Sequence, residues 1–222
     1  MVNRAVELDQ PAIALTDHGN LHGAVDIYQS ATKAGIKPII GVECYVSDGA
    51  RDERNPQKRS PFHMTLLSQN RAGYQNLLKL VTASHIEGFY YRPRMDREIL
   101  EKYSEGLIVL SGCPSGELAR HIKNGDIDAA RETLEWYGNV FQDRYYIEMM
   151  MHEHVPDQAE INEALIELSS QTGLPMVVTN DSHYVRREDS EAQDILTCIQ
   201  TNSNIKDPKR LHMEDTTYYL RS

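Results

Sequence analysis

Residues 11–46 read PAIALTDHGNLHGAVDIYQSATKAGIKPIIGVECYV. An apolar run over 11–17 leads into His18-Gly19. An amphipathic stretch follows over 22–34, Gly35 stops it, and a second apolar run fills 38–46. This pattern predicts a strand, a helix closed by a glycine in the left-handed conformation, and a second strand. Two strands joined through a helix pair in parallel with a right-handed crossover. The stretch therefore predicts an α/β fold.

The alternation continues outward. Further strands are predicted at 62–68, 106–112, 145–151 and 175–181, with helices at 71–86, 96–104, 116–123, 128–141, 158–171 and 190–200. Ile161, Leu165 and Leu168 form one apolar stripe on the helix at 158–171, and Gly173 follows it. Strand, helix, strand repetition implies parallel pairing throughout. Residues 47–61 and 88–95 read as irregular. The second of these mixes aromatics with Arg92 and Arg94, a combination suited to stacking on a base and clamping a phosphate. Residues from Ile205 onward read as a tail leading elsewhere, so the domain is placed at 1–204 and a linker at 205–222.

Composition narrows the function classes. The chain has 222 residues, 40% hydrophobic and 25% charged, as expected of a globular domain large enough for one α/β barrel. No apolar run approaches the ~20 residues that span a bilayer, and the first residues carry no signal-peptide pattern. Three widely spaced cysteines form no disulfide framework and point to a reducing, cytoplasmic setting. A net charge of −10 argues against a free-standing protein that grips nucleic acid with a basic surface. A nucleic-acid substrate held through metal ions or other domains stays open.

The predicted strand ends carry the chemistry. VVTNDSHY (177–184) places Asp181 and His183 two residues apart, on one face if the strand continues. The first strand closes on Asp17-His18-Gly19, the second carries Glu43, the third carries His63 near its start, and the fourth leads to Cys113. The fifth leads to His152-Glu153-His154. In a barrel of parallel strands these ends form one rim, where active sites sit. Each of these groups can ligate zinc, manganese or iron. Carboxylate and imidazoles packed together without a cation would be hard to keep ionised and satisfied.

TDHGNLHGAVDIYQSATKAGIKPIIGVECYV, GFYYRPRMD, LIVLSGCPSGELA and LPMVVTNDSHYV resemble the PHP (polymerase and histidinol phosphatase) domain of bacterial DNA polymerase III alpha subunits. The likeness extends through LTCIQTNSNIKDPKRLHMEDTTYYLRS, similar to the start of the link towards a polymerase core. The resemblance implies a distorted seven-stranded α/β barrel with up to three divalent metals: zinc, manganese or magnesium. Carried over, Glu43 would bridge two metals and serve catalysis with Asp181. His63 and Cys113 would complete the second metal, Asp181 the first, and His18 and His183 the third. Arg92 and Arg94 would bind substrate. The implied activity is metal-dependent 3′-5′ exonuclease or phosphoester hydrolysis within a polymerase that synthesises DNA. The implied partners are DNA, the remaining polymerase domains and a proofreading subunit. A non-catalytic scaffold role and a stand-alone phosphatase are the alternatives.

The sequence departs from the family pattern at its start. The family's opening strand bears His-x-His, whereas the first histidine here is His18 and residues 1–8 look like the end of a helix. The first barrel strand is therefore expected to be missing, with fewer metals held and hydrolysis impaired. His152-Glu153-His154 has the spacing of the lost pair but falls on a strand where the family has no ligands; His152 is expected to touch substrate or bridge to the site through solvent. Cys44 and Cys198 are read as core. Asp17 is read as either orienting His18 or capping a turn.

Overall fold

A computed structural model describes every residue except Glu153, Glu214 and Ser222. The elements follow the predicted order. Helix α1 (Val2–Glu7) precedes strand β1 (Ala12–His18), helix α2 (Ala24–Ala34) and strand β2 (Lys37–Val46). Strand β3 (Phe62–Ser68) and helix α3 (Arg71–Ile86) come next. Two short strands, β4 (Phe89–Tyr90) and β5 (Arg92–Met95), make a hairpin inside the segment read as irregular, with Tyr91 turning the chain at φ 59°. Then come α4 (Arg97–Lys102), β6 (Leu107–Leu110), α5 (Glu117–Lys123), α6 (Ile127–Phe141), β7 (Tyr145–Met150), α7 (Gln158–Thr172), β8 (Met176–Thr179) and α8 (Ser190–Thr201). Gly35 and Gly173 close α2 and α7 in the left-handed conformation, as the sequence predicts.

The main sheet runs β1–β2–β3–β6–β7–β8, and β5 joins the end of β2 on the side of β1. Among the described residues no strand lies between β1 and β8. Both line a single cavity of ≈820 Å³, so the sheet curls into a distorted, open barrel.

Pairing is not parallel throughout. β1–β2, β6–β7 and β7–β8 are parallel, but β3 runs antiparallel to both β2 and β6. The connection 47–61 holds only a short 3₁₀ turn at Pro56–Lys58, so nothing carries the chain across the sheet and it turns back. The reversal brings the start of β3 to the same rim as the end of β2, which is why His63 stands early in its strand yet at the rim.

Strand periodicity divides the residues between two faces. Val42, Cys44 and Val46 of β2 and Met64 and Leu66 of β3 point outward, into a core shared with Leu77 and Leu80 of α3. Leu107 and Val109 of β6 and Tyr145 and Ile147 of β7 extend that core towards Leu134 and Phe141 of α6 and Leu165 of α7. Each such leucine contributes roughly 1.5–3 kcal/mol by leaving water. The alternate residues, Glu43, Thr65, Leu67, Ile108, Leu110, Tyr146, Glu148, Val177 and Thr179, line the cavity. Helix starts are capped by Asn70, Asp96 and Asp126, each accepting an N–H from the first turn. Cys44 and Cys198 are buried, and no helix among the described residues is long and apolar enough to cross a membrane.

The backbone from Thr217 to Leu220 returns alongside residues 180–184.

Candidate metal centre

Three elements converge first. Glu43 on β2 faces the cavity, and His63 on β3 stands beside it at the adjoining groove, His63 Nδ1 lying 2.8 Å from Glu43 Oε1. Cys113 Sγ lies 3.6 Å from the same nitrogen. The Cys113 loop needs Gly112, whose φ is 92° and whose missing Cβ would stand 2.3 Å from the His63 carbonyl oxygen. His18 at the end of β1 reaches Glu43 Oε1 at 3.7 Å and lies 3.4 Å from the Tyr45 hydroxyl.

Asp181 and His183 form the opposite wall, and not as a strand step. β8 ends at Thr179, and Asp181 takes a left-handed φ of 45°, a conformation a non-glycine residue holds at a cost. His183 Nδ1 then meets the Asp181 carbonyl oxygen at 2.7 Å, which leaves Nε2 as the nitrogen carrying the lone pair. The His18 and His183 rings stand 5.7 Å apart, edge to face. All six sequence-predicted ligands thus gather at one rim.

The electrostatics follow from burial and from the charges close by. Burial alone would push the Glu43 carboxyl up, but His63, His18 and His183 outweigh it and hold it below the usual range. Burial raises Asp181, and Glu43 adds to the rise against the pull of three histidines. Burial, reinforced by Glu43 and Asp181, pushes the Cys113 thiol far up. Glu43 Oε1 is buried and makes no aligned hydrogen bond, although His63 Nδ1 is so close. A buried carboxylate, an imidazole and a thiol brought this close together suit a divalent cation. Among the described residues, no three such side chains are already closed round one point.

Other expectations resolve differently. Arg94 is buried, and its guanidinium donates to the carbonyls of Gly88, Arg51 and Glu53 while lying over the Tyr90 ring. Its donors hold the loop after β2, so it does not present them to substrate as the sequence suggested. Arg92 is exposed over the Tyr45 ring and, with Arg59, Tyr91 and His63, lines a groove of ≈390 Å³ that opens on the centre. Asp17 accepts the Gly23 N–H at 2.9 Å and caps the turn into α2. His152 is buried beneath Tyr218; Glu153, between it and His154, lies outside the described residues.

Sequence reasoning missed two neighbours. Glu148 on β7 is buried under the centre, accepting the Gly112 N–H at 3.0 Å and lying 2.6 Å from the Thr179 hydroxyl. Burial outweighs these bonds and raises its carboxyl to about 7. An acid on the inward-facing positions of the apolar run YYIEMM was the available signal. Tyr218 packs edge-on against His183, and nothing local in the sequence announced it.

A family model described as PHP domain matches residues 1–152. The chain is 44% identical to the DNA polymerase III subunit alpha of Borreliella burgdorferi, over the whole of this chain and 19% of that protein. It is 43% identical to the Thermus aquaticus counterpart, over 96% of this chain and 18% of that protein. Against the Deinococcus radiodurans counterpart it is 40% identical, over 96% and 16%. The chain thus spans about a fifth of the length of the curated relatives it matches.

Proposed function

The chain belongs to the PHP domain family, and from that premise we propose that it is the PHP module of a bacterial DNA polymerase III alpha subunit, built to hydrolyse phosphoesters at DNA 3′ ends with divalent metal. The observation that carries the reading is the convergence of Glu43, His63 and Cys113, from three separate elements, with His63 Nδ1 2.8 Å from the buried Glu43 Oε1 and 3.6 Å from Cys113 Sγ. Glu43, His63 and Cys113 would hold one cation, Asp181 another, and His18 with His183 a third, Glu43 being shared. Zinc, manganese or magnesium bound there would supply an activated water and charge neutralisation at phosphorus. Arg92 and Arg59 would receive the backbone phosphate of a DNA strand lying in the adjoining groove, with Tyr91 beside them for a base. The remaining polymerase domains and a proofreading subunit are the proposed partners, and the cytoplasm the proposed setting.

A second reading, a non-catalytic support for the polymerase, draws on the lack of a closed three-residue cage among the described residues. One experiment separates the two. The chain is stripped with chelator, reloaded with zinc or manganese, and assayed for bound metal and for nucleotide release from single-stranded DNA 3′ ends. At least one tightly bound ion per chain, with metal-dependent release, is expected. A folded chain that binds no metal and releases no nucleotide leaves only the support role. Faster phosphate release from histidinol phosphate than from DNA would assign a small-molecule phosphatase instead.

A further inference from the structure

Residues 215–220 lie against the turn that carries Asp181 and His183. Asn180 Nδ2 donates to the carbonyls of both Thr217 and Tyr219, each at 2.7 Å. The His183 N–H donates to the Tyr218 carbonyl at 2.8 Å, and the Leu220 N–H to the Tyr184 carbonyl at 3.2 Å. The Ser182 hydroxyl donates to the Tyr219 carbonyl, and Tyr184 pairs with Tyr219 as a parallel bridge. Upstream, Asp215 is buried and accepts the His154 N–H at 3.1 Å. The segment is thus a strap laid along the turn that carries Asp181 and His183.

Its side chains form a stack behind that turn. The Tyr218 ring lies face to face on His152, centroids 4.0 Å apart and planes 24° apart. The same ring meets His183 edge-on at 5.6 Å and 88°. His152 is itself anchored, Nδ1 lying 2.9 Å from the Thr217 hydroxyl, and it is 2% exposed. The His152 stack therefore holds the Tyr218 ring, and the Tyr218 ring in turn braces one side of His183, while the Asp181 carbonyl fixes Nδ1. The His183 ring itself lines the cavity.

We propose that the Thr217–Leu220 strap is an integral part of the centre and that Tyr218 is the positioning residue that holds the His183 ring where its Nδ1 meets the Asp181 carbonyl. Tyr218 ligates nothing itself. Its work is done by shape, through the ring, so the hydroxyl is dispensable. The consequence for metal rests on the function proposed above: a donor held in one orientation binds without first being ordered, and outer partners of metal-ligating histidines are worth roughly 10–100-fold in affinity.

The test uses the full chain with Tyr218→Leu, Tyr218→Phe and Asn180→Ala. Nitrogen–proton correlation spectra of the His183 ring, taken without metal, should show one tautomer protonated at Nδ1 in the parent chain and in Tyr218→Phe. Tyr218→Leu should show averaged tautomers, and Asn180→Ala, which releases the strap without touching either ring, should do the same. Zinc affinity by chelator competition should fall about tenfold in Tyr218→Leu and stay within about twofold in Tyr218→Phe. A Tyr218→Leu or Asn180→Ala chain with the parent's His183 spectrum overturns the proposal, as does a Phe variant as impaired as Leu. Should the parent chain bind no zinc, the metal reading fails, while the ring spectra still decide the strap.

Discussion

The two walls of the centre are built by different means. Glu43 and His63 stand on neighbouring strands whose register, Glu43 opposite Thr65 and Tyr45 opposite His63, leaves them little freedom. Asp181 and His183 stand beyond the end of β8, held by one left-handed residue and by a strap from much later in the chain. The first wall is a consequence of sheet geometry. The second is a consequence of tertiary packing, and it should be the softer of the two.

The largest expected effect tests that contrast directly. Glu43→Gln removes the carboxylate that lies within reach of both His63 and His18, and should weaken zinc binding about 1,000-fold, or ~4 kcal/mol. His183→Ala should cost far less, about 10–100-fold, because it empties only the softer wall. Chelator competition on both variants measures the ratio. Equal losses would erase the distinction between the walls.

Glu148 sharpens the comparison, since it ties the walls together beneath the centre, bonding to Gly112 on one side and Thr179 on the other. Its carboxyl is raised from an ordinary 4.5 to about 7, so between those values the folded chain keeps a proton the unfolded chain has released. Stability contributed by this group is therefore greatest below pH 4.5, falls as pH rises to about 7, and is flat above. The fall should be on the order of 3 kcal/mol in the metal-free protein. Glu148→Gln keeps an acceptor for the Gly112 N–H without a charge, so urea unfolding of the variant between pH 5 and pH 8 should lack the fall. A variant that tracks the parent across that range would show that Glu148 is ionised throughout.

What the sequence made legible follows the same division. Apolar runs and periodicity located the strands and helices, and alternation alone put Glu43 on the opposite face from Cys44. The reversal of β3 was readable in principle, because residues 47–61 hold too little helix to cross the sheet. The burial of Arg94 was not readable: a guanidinium satisfied by three carbonyls looks, in sequence, the same as one waiting for phosphate. The strap was beyond local reasoning altogether, since TTYYL reads as an ordinary extended tail until its partner at 180–184 is known. Asp181 and His183 lie side by side, but their two-residue spacing serves a turn and not the strand step expected.

The smallest effect concerns a residue that only proximity places in the centre. Asp17 precedes His18 and lines the same cavity, yet Asp17 Oδ2 accepts the Gly23 N–H ahead of α2, as a capping carboxylate does. Asp17→Ala should cost about 1 kcal/mol in urea unfolding, the usual worth of such a cap. It should leave zinc affinity within about threefold, because β1 is held to β2 along its whole length, from Ala12 opposite Lys37 to His18 opposite Glu43. The ladder, not the Asp17 side chain, sets where His18 stands. A drop in zinc affinity as large as that of His183→Ala, with stability unchanged, would reverse this: His18 would then depend on its neighbour as His183 depends on Tyr218, and the β1 side of the centre would belong with the softer wall.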